Sequence, residues 1–214
     1  MRPRIARNAG HGETQNSKWR GLPAIERGLA VVFAGVVVAL GACGPVARTP
    51  REPSVGGPFS LVNQDGGRVD QQILLGHWTL VFFGYTYCPD VCPTTLTTLG
   101  AAMDKLGPAA GGLRVIFITV DPQRDTPAQL KTYLSSPSFP KGTVGLTGSP
   151  AEIAAAAGAY RVYYRKAEEG PGYSVDHTSV VYLMDPQGHF ARPLGFGASP
   201  ADVARQIGDA MRGA

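Results

Sequence analysis

The stretch from His77 to Tyr85 (HWTLVFFGY) is a near-continuous apolar and aromatic run. A strand buried on both faces reads this way, so the rest of the chain must cover both sides of a sheet in which this strand is central. Cys88-Pro89-Asp90-Val91-Cys92-Pro93 follows as a turn. Leu96, Leu99, Met103 and Leu106 then recur at spacings of three and four, one apolar stripe on a helix that begins near Pro93. Leu113–Val120 (LRVIFITV) reads as a second buried strand. Strand, helix and strand make a βαβ unit, which closes right-handed in nearly all cases and makes its strands parallel.

Ahead of this unit, Phe59–Val62 and Arg68–Asp70 flank the turn signal Asn63-Gln64-Asp65-Gly66-Gly67, which predicts a small hairpin. Beyond it, three helices announce their starts in one idiom: Thr126-Pro-Ala-Gln129, Ser149-Pro-Ala-Glu152 and Ser199-Pro-Ala-Asp202. In each a hydroxyl can cap free backbone N–H groups, and proline sits where no N–H is needed. Between the last two, Ser179–Asp185 and His189–Leu194 flank Pro186-Gln187-Gly188 and read as an antiparallel hairpin. A βαβ half followed by a ββα half is the order of a thioredoxin fold. The expected class is therefore α/β, a thioredoxin-like mixed sheet sandwiched by helices, with the first hairpin as an N-terminal extension.

The formal charge of +4 is confined to the N-terminus, where Arg2, Arg4, Arg7, Lys18, Arg20 and Arg27 outweigh Glu13 and Glu26. From Cys43 onward basic and acidic residues cancel, which removes the electrostatic argument for nucleic-acid binding. Positive charge before the apolar run Leu29–Ala42 suits a signal peptide, and the run is short for spanning a bilayer. It ends at Leu40-Gly41-Ala42-Cys43, which resembles a bacterial lipobox, so Cys43 is expected to carry lipid after cleavage. The alternative is an uncleaved anchor, and either one places the rest outside the cytoplasm. The expected organisation is a leader over 1–42, a Pro/Gly/Arg-rich lipid-anchored tether over 43–57 and one domain over 58–214.

Cys88 and Cys92 lie between a buried strand and a helix N-terminus, where unpaired N–H groups and the helix dipole favour a thiolate. With three residues between them, the sulfurs could form a disulfide or grip one metal ion, and spacing alone does not choose. A purely structural bridge is the plain alternative for an exported protein.

Taken together, Gly84-Tyr-Thr-Tyr-Cys88-Pro-Asp-Val-Cys92-Pro, Asp121-Pro-Gln-Arg-Asp-Thr-Pro127 and Asp176-His177-Thr-Ser resemble the Sco (SenC) family over roughly Pro58 to Arg212. The resemblance implies a thioredoxin-like domain that binds one copper ion through Cys88, Cys92 and His177. It further implies that the domain supplies copper to, or reduces the cysteines of, the binuclear copper site on subunit II of cytochrome c oxidase. Other copper chaperones or thiol reductants would then be partners, and the location would be the extracytoplasmic side of a bacterial membrane. Two thiolates select Cu(I), and an imidazole suits Cu(II) as well. A closed zinc site would want a fourth ligand that the sequence does not offer.

His177 is expected on a loop entering Ser179–Asp185 and facing the cysteine turn, where thioredoxins carry a cis-proline and this chain has none. His11, His77 and His189 have blander explanations. Asp90, Asp121, Asp125 and Asp176 read as turn and cap residues or as groups supporting the ligands. Tyr85, Tyr87 and Met184 read as packing. A general extracytoplasmic thiol–disulfide oxidoreductase would cycle Cys88 and Cys92 with His177 incidental. A peroxiredoxin would want a hydroxyl residue three positions before its cysteine, where Pro89 precedes Cys92 and Tyr85 precedes Cys88.

Overall fold

The computed structural model describes residues 54–169 and 172–213. The run Leu29–Ala42, Cys43 and most of the expected tether lie outside the described residues. Among those that are described, no helix is long and apolar enough to cross a membrane.

The chain enters through Val55, which packs against the core, and Gly56, whose N–H donates to the Ala159 carbonyl at 3.0 Å. It then forms the expected hairpin, β1 (Ser60–Asn63) and β2 (Arg68–Asp70). The Asn63 side-chain oxygen organises the turn by accepting from the N–H groups of Asp65 at 3.0 Å and Gly67 at 2.8 Å. Gly66, at φ +86°, supplies the left-handed residue that the turn needs.

A short 3₁₀ turn leads to β3 (Trp78–Gly84), followed by α1 (Val91–Leu106), β4 (Leu113–Thr119), α2 (Pro127–Leu134), β5 (Val144–Thr147) and α3 (Pro150–Ala159). Next come β6 (Tyr164–Glu169), β7 (Gly172–His177), β8 (Val180–Met184), β9 (Phe190–Gly195) and α4 (Pro200–Arg212). Seven strands form one sheet in the order β2-β1-β5-β4-β3-β8-β9. β3, β4 and β5 pair in parallel, and the other neighbours in the sheet pair antiparallel. The mixed α/β sheet expected from the sequence is thus present, and the N-terminal hairpin joins it at one edge.

β3 is covered on both sides, as its composition demands. Phe82 meets Phe117 of β4 edge-on, with ring centroids 5.9 Å apart. The next residue, Phe83, points the other way and packs on Tyr160 at the end of α3, at 5.3 Å. Phe82, Phe83, Phe117, Leu80 and Ile116 are all fully buried. α1 packs on α4, where Leu106 lies against Gly208.

The three capped helices start where the sequence puts them. Thr126, Ser149 and Ser199 each accept from the backbone N–H three residues on, and Ser149 with Glu152 completes a reciprocal capping box. α1 differs: it starts at Val91, two residues ahead of Pro93, and Asp90 makes no side-chain cap.

The sequence reading missed β5, β6 and β7. β5 is only four residues long and includes Gly145, which lets Leu130 and Leu134 of α2 lie against the strand. β6 and β7 form a two-stranded ribbon with no ladder to the main sheet, and the charged sequence of β6 (YRKAEE) hides a strand that faces water. His177 is consequently the last residue of a strand, paired opposite Tyr164, and not part of a loop. Replacing Ser149 with alanine is expected to lower the unfolding free energy by about 1 kcal/mol, because the α3 capping box is lost. Equilibrium urea unfolding checks this, and an unchanged midpoint would show that the box contributes nothing.

Candidate metal and thiol centre

The turn after β3 is held from beneath by a carboxylate. Asp125, fully buried, accepts from the Thr86 N–H at 3.0 Å, from the Thr86 hydroxyl at 2.7 Å and from the Thr119 hydroxyl at 2.6 Å. Burial pushes its acidity toward the neutral form, and the hydrogen bonds from Thr119 and Thr86 oppose that. Asp125 thus ties the segment leading to Cys88 to the end of β4. Asp121, also fully buried, pairs with Arg124 and accepts from the Tyr173 hydroxyl at 2.8 Å. Both aspartates act through the backbone and side chains around the site, whereas Asp90 and Asp176 are exposed. Asp90 accepts from Thr94, and Asp176 pairs with Arg165 across the ribbon.

On this base the two cysteines differ. Cys92 sits in the first turn of α1 and is fully buried, while Cys88 is half-buried at the surface, and both thiols are free. Gly84 is what makes room for Cys92: a Cβ there would stand 2.8 Å from the Cys92 sulfur and 2.8 Å from the Phe117 ring. The sequence gives Gly84 only as the first residue of the cysteine motif, although a glycine closing an apolar strand is a legible signal of a close approach.

His177 completes the group. Its Nε2 lies 3.6 Å from the Cys92 sulfur, and its Nδ1 lies 3.1 Å from the Thr178 carbonyl oxygen. A carbonyl only accepts, so this bond places the ring proton on Nδ1 and leaves the Nε2 lone pair toward the sulfurs. Phe82 and Tyr85 wall the ring at centroid distances of 6.4 and 5.8 Å, Tyr85 edge-on. One ligand atom from each of Cys88, Cys92 and His177 lies within 4.8 Å of the others. A first-row ion such as zinc holds sulfur at about 2.3 Å and nitrogen at about 2.0 Å. A small closing movement is all that the three donors need in order to share one ion.

The sulfurs share a proton unequally. The hydrogen bond given by Cys92 is the main reason that the Cys88 thiol is pulled down to about 4; burial opposes it, and the N–H groups of Cys92 and Asp90 assist. The same bond, followed by burial and the Cys88 charge, drives the Cys92 thiol far upward. The Cys92 N–H reaches the Cys88 sulfur at 3.4 Å, so the N–H left free at the uncapped start of α1 is directed at the thiolate. The metal-free pair is therefore one half-buried thiolate beside one buried thiol, with an imidazole against the buried sulfur.

The remaining sequence candidates lie elsewhere. Met184 is buried opposite Thr79, near the far end of β3, and His189 faces Asp185 at 3.5 Å. His77 immediately precedes β3. Tyr85 proves to be packing against His177, and its hydroxyl also accepts from the Val175 N–H at 3.3 Å. The roles of Arg124 and Tyr173 escaped the sequence reading because their contact joins segments far apart in the chain.

The family model described as SCO1/SenC matches residues 47–212. The mitochondrial SCO1 homolog 1 of Arabidopsis thaliana is 47% identical over 144 residues, covering 66% of this chain and 42% of that protein. Protein SenC of Rhodobacter capsulatus is 38% identical over 193 residues, covering 82% of this chain and 86% of that protein. The crystal structure of copper-bound ScoI from Arabidopsis thaliana superposes with a TM-score of 0.71 at 42% identity, covering 75% of this chain and 100% of that one. The chain spans about half the length of the mitochondrial relatives that it matches.

Because Cys88 is held as thiolate above a pH of about 4, that form is lost only as the pH falls through this value. Iodoacetamide should accordingly modify Cys88 at a rate that is flat from pH 6 to 8 in the reduced protein. A rate that instead climbs throughout this range, as for an ordinary thiol near 8.5, would contradict the shared-proton arrangement.

Proposed function

Since the chain belongs to the SCO1/SenC family, we infer that it binds one copper ion through Cys88, Cys92 and His177 and serves the assembly of the binuclear copper site on subunit II of cytochrome c oxidase. The observation that carries this reading is the convergence of two sulfurs and one imidazole nitrogen, brought by α1, the turn before it and a separate ribbon, within 4.8 Å of each other. Copper is the cargo here. Two thiolates suit Cu(I), and the added imidazole lets the same set hold Cu(II). Loading releases the proton that the sulfurs share, so affinity rises with pH. Half-exposed Cys88 gives the ion a side from which to enter and leave, while buried Cys92 and half-buried His177 lie beside it.

The same asymmetry supports a thiol reductase role toward the client. Thiolate Cys88 attacks one sulfur of a client disulfide and releases the other as a thiolate. Cys92 then passes its proton to the released client thiolate and displaces the remaining client sulfur, closing a Cys88–Cys92 disulfide as two electrons pass to the client. A further thiol reductant must restore the pair.

The N-terminal part of the reading rests on sequence. Residues 1–42 act as an export leader, Cys43 carries the lipid, residues 43–57 tether the domain, and the domain over 58–214 works on the extracytoplasmic side of a bacterial membrane. Cys43→Ser should release the protein from the membrane fraction or leave the leader uncleaved. Wild-type processing and membrane retention in that variant would overturn the lipid anchor.

Titration of the purified, fully reduced protein with Cu(I) and Cu(II) against competing chelators tests the site. The wild type should take up one tight copper, Cys88→Ser with Cys92→Ser should take up none, and His177→Ala should weaken Cu(II) more than Cu(I). Equal copper uptake by the wild type and the cysteine-free variant would remove the copper role and leave thiol–disulfide exchange.

A further inference from the structure

His177 stands at the end of a ribbon that shares no backbone ladder with the sheet beneath the cysteines. A two-stranded ribbon is at best marginally stable by itself in water, so its side-chain attachments decide where the imidazole lies. Alternation along β7 puts Tyr173, Val175 and His177 on one face. Each of these residues is fastened to the body of the protein. Val175 is buried, and its N–H donates to the Tyr85 hydroxyl at 3.3 Å. His177 meets Cys92 and the Tyr85 ring.

Tyr173 is fastened by Arg124. The Arg124 Nη1 donates to the Tyr173 carbonyl at 3.0 Å, and the guanidinium carbon lies 3.7 Å from the Tyr173 ring centroid. The Tyr173 hydroxyl donates to Asp121, the carboxylate that also receives Arg124 Nε. Asp121 is itself fixed just past β4, where its N–H donates to the Thr119 hydroxyl at 2.9 Å. The same guanidinium lies 4.8 Å from the Tyr87 ring and 5.7 Å from the Tyr85 ring, over the segment that leads into Cys88. Arg124 therefore grips both the arm that carries the sulfurs and the arm that carries the imidazole.

Resting on the assignment of Cys88, Cys92 and His177 as copper ligands, we propose that Arg124 is a positioning residue that selects the copper oxidation state by holding the His177 ribbon in register with the two sulfurs. With the clamp closed, the ion meets two sulfurs and a nitrogen, a set that holds Cu(II) as well as Cu(I). With the clamp released, the ribbon lifts at Tyr173, the imidazole no longer stays over Cys92, and two thiolates remain, which suffice for Cu(I) alone. The plainer role for Arg124 is as a counter-charge for buried Asp121. Lysine separates the two, because an ammonium can neutralise the carboxylate as a point charge but lacks the planar fork that reaches the carbonyl and stacks on the ring at once.

The test uses the full chain in detergent, reduced, as wild type, Arg124→Lys, Tyr173→Leu, His177→Ala and the Arg124→Lys/His177→Ala double variant. Tyr173→Leu removes the stacked ring while sparing the Asp121–Arg124 ion pair, which guards against simple misfolding. In both single clamp variants Cu(II) affinity should fall by about 10- to 100-fold, as for loss of a group that orients a ligand. Cu(I) affinity should stay at the wild-type value, and the Cu(II) electron paramagnetic resonance spectrum should move toward that of His177→Ala. The double variant should be no weaker than His177→Ala, because the same ligand is lost only once. Without metal, amide exchange at Val175 and His177 should be faster in Arg124→Lys than in the wild type. Wild-type Cu(II) affinity and spectrum in the clamp variants, equal loss of both oxidation states, additive losses in the double variant or unchanged amide exchange would each overturn the inference. A wild-type protein that binds no copper would overturn the ligand assignment itself, and the proposal with it.

Discussion

The carboxylate of Asp125 accepts hydrogen bonds from three groups on two segments, the Thr86 N–H and hydroxyl after β3 and the Thr119 hydroxyl at the end of β4. Buried carboxylates are costly unless fully bonded, and three donors answer that cost here. These bonds hold the turn that carries Cys88 against the end of β4. Everything at the centre depends on this. The thiolate, the exposed tyrosine beside it and the start of α1 all follow from where Thr86 is pinned.

A fixed turn makes an asymmetric sulfur pair. Cys92 enters a helix that crosses close above Gly84 and is closed off from water, while Cys88 remains at the surface. One proton between two sulfurs a short distance apart settles on the buried one, since water and backbone N–H groups stabilise charge better at the exposed one. The imidazole is oriented in turn by a carbonyl, so its lone pair faces the pair of sulfurs. A soft ion and a disulfide partner would both be approached from the Cys88 side.

The two halves of the centre differ in how they are built. The sulfur half belongs to a core in which Phe82, Phe83, Phe117 and their neighbours are wholly buried. The imidazole half arrives on a ribbon held mainly by side chains: Tyr85, Asp121, Arg124, Gln123, which accepts from Lys166, and the buried Val175. Few contacts hold such an element, so its opening costs less than disruption of the sheet.

The sequence by itself determined the layers and the position of the sulfur pair, because those features are local. Apolar runs mark buried strands, Ser/Thr-Pro pairs mark helix starts, and a strand followed at once by a helix places Cys88 and Cys92 in one turn. It also carried the family's three motifs, which pointed to His177. Tertiary structure alone decided the rest. A four-residue strand containing glycine and a charged ribbon leave no apolar period to read, so β5, β6 and β7 were invisible, and with them the strand that carries His177. Asp125 under Thr86 and Arg124 against Tyr173 are contacts between residues distant in the chain. Their meaning comes from packing and from the need to pair buried polar groups, which no single segment encodes.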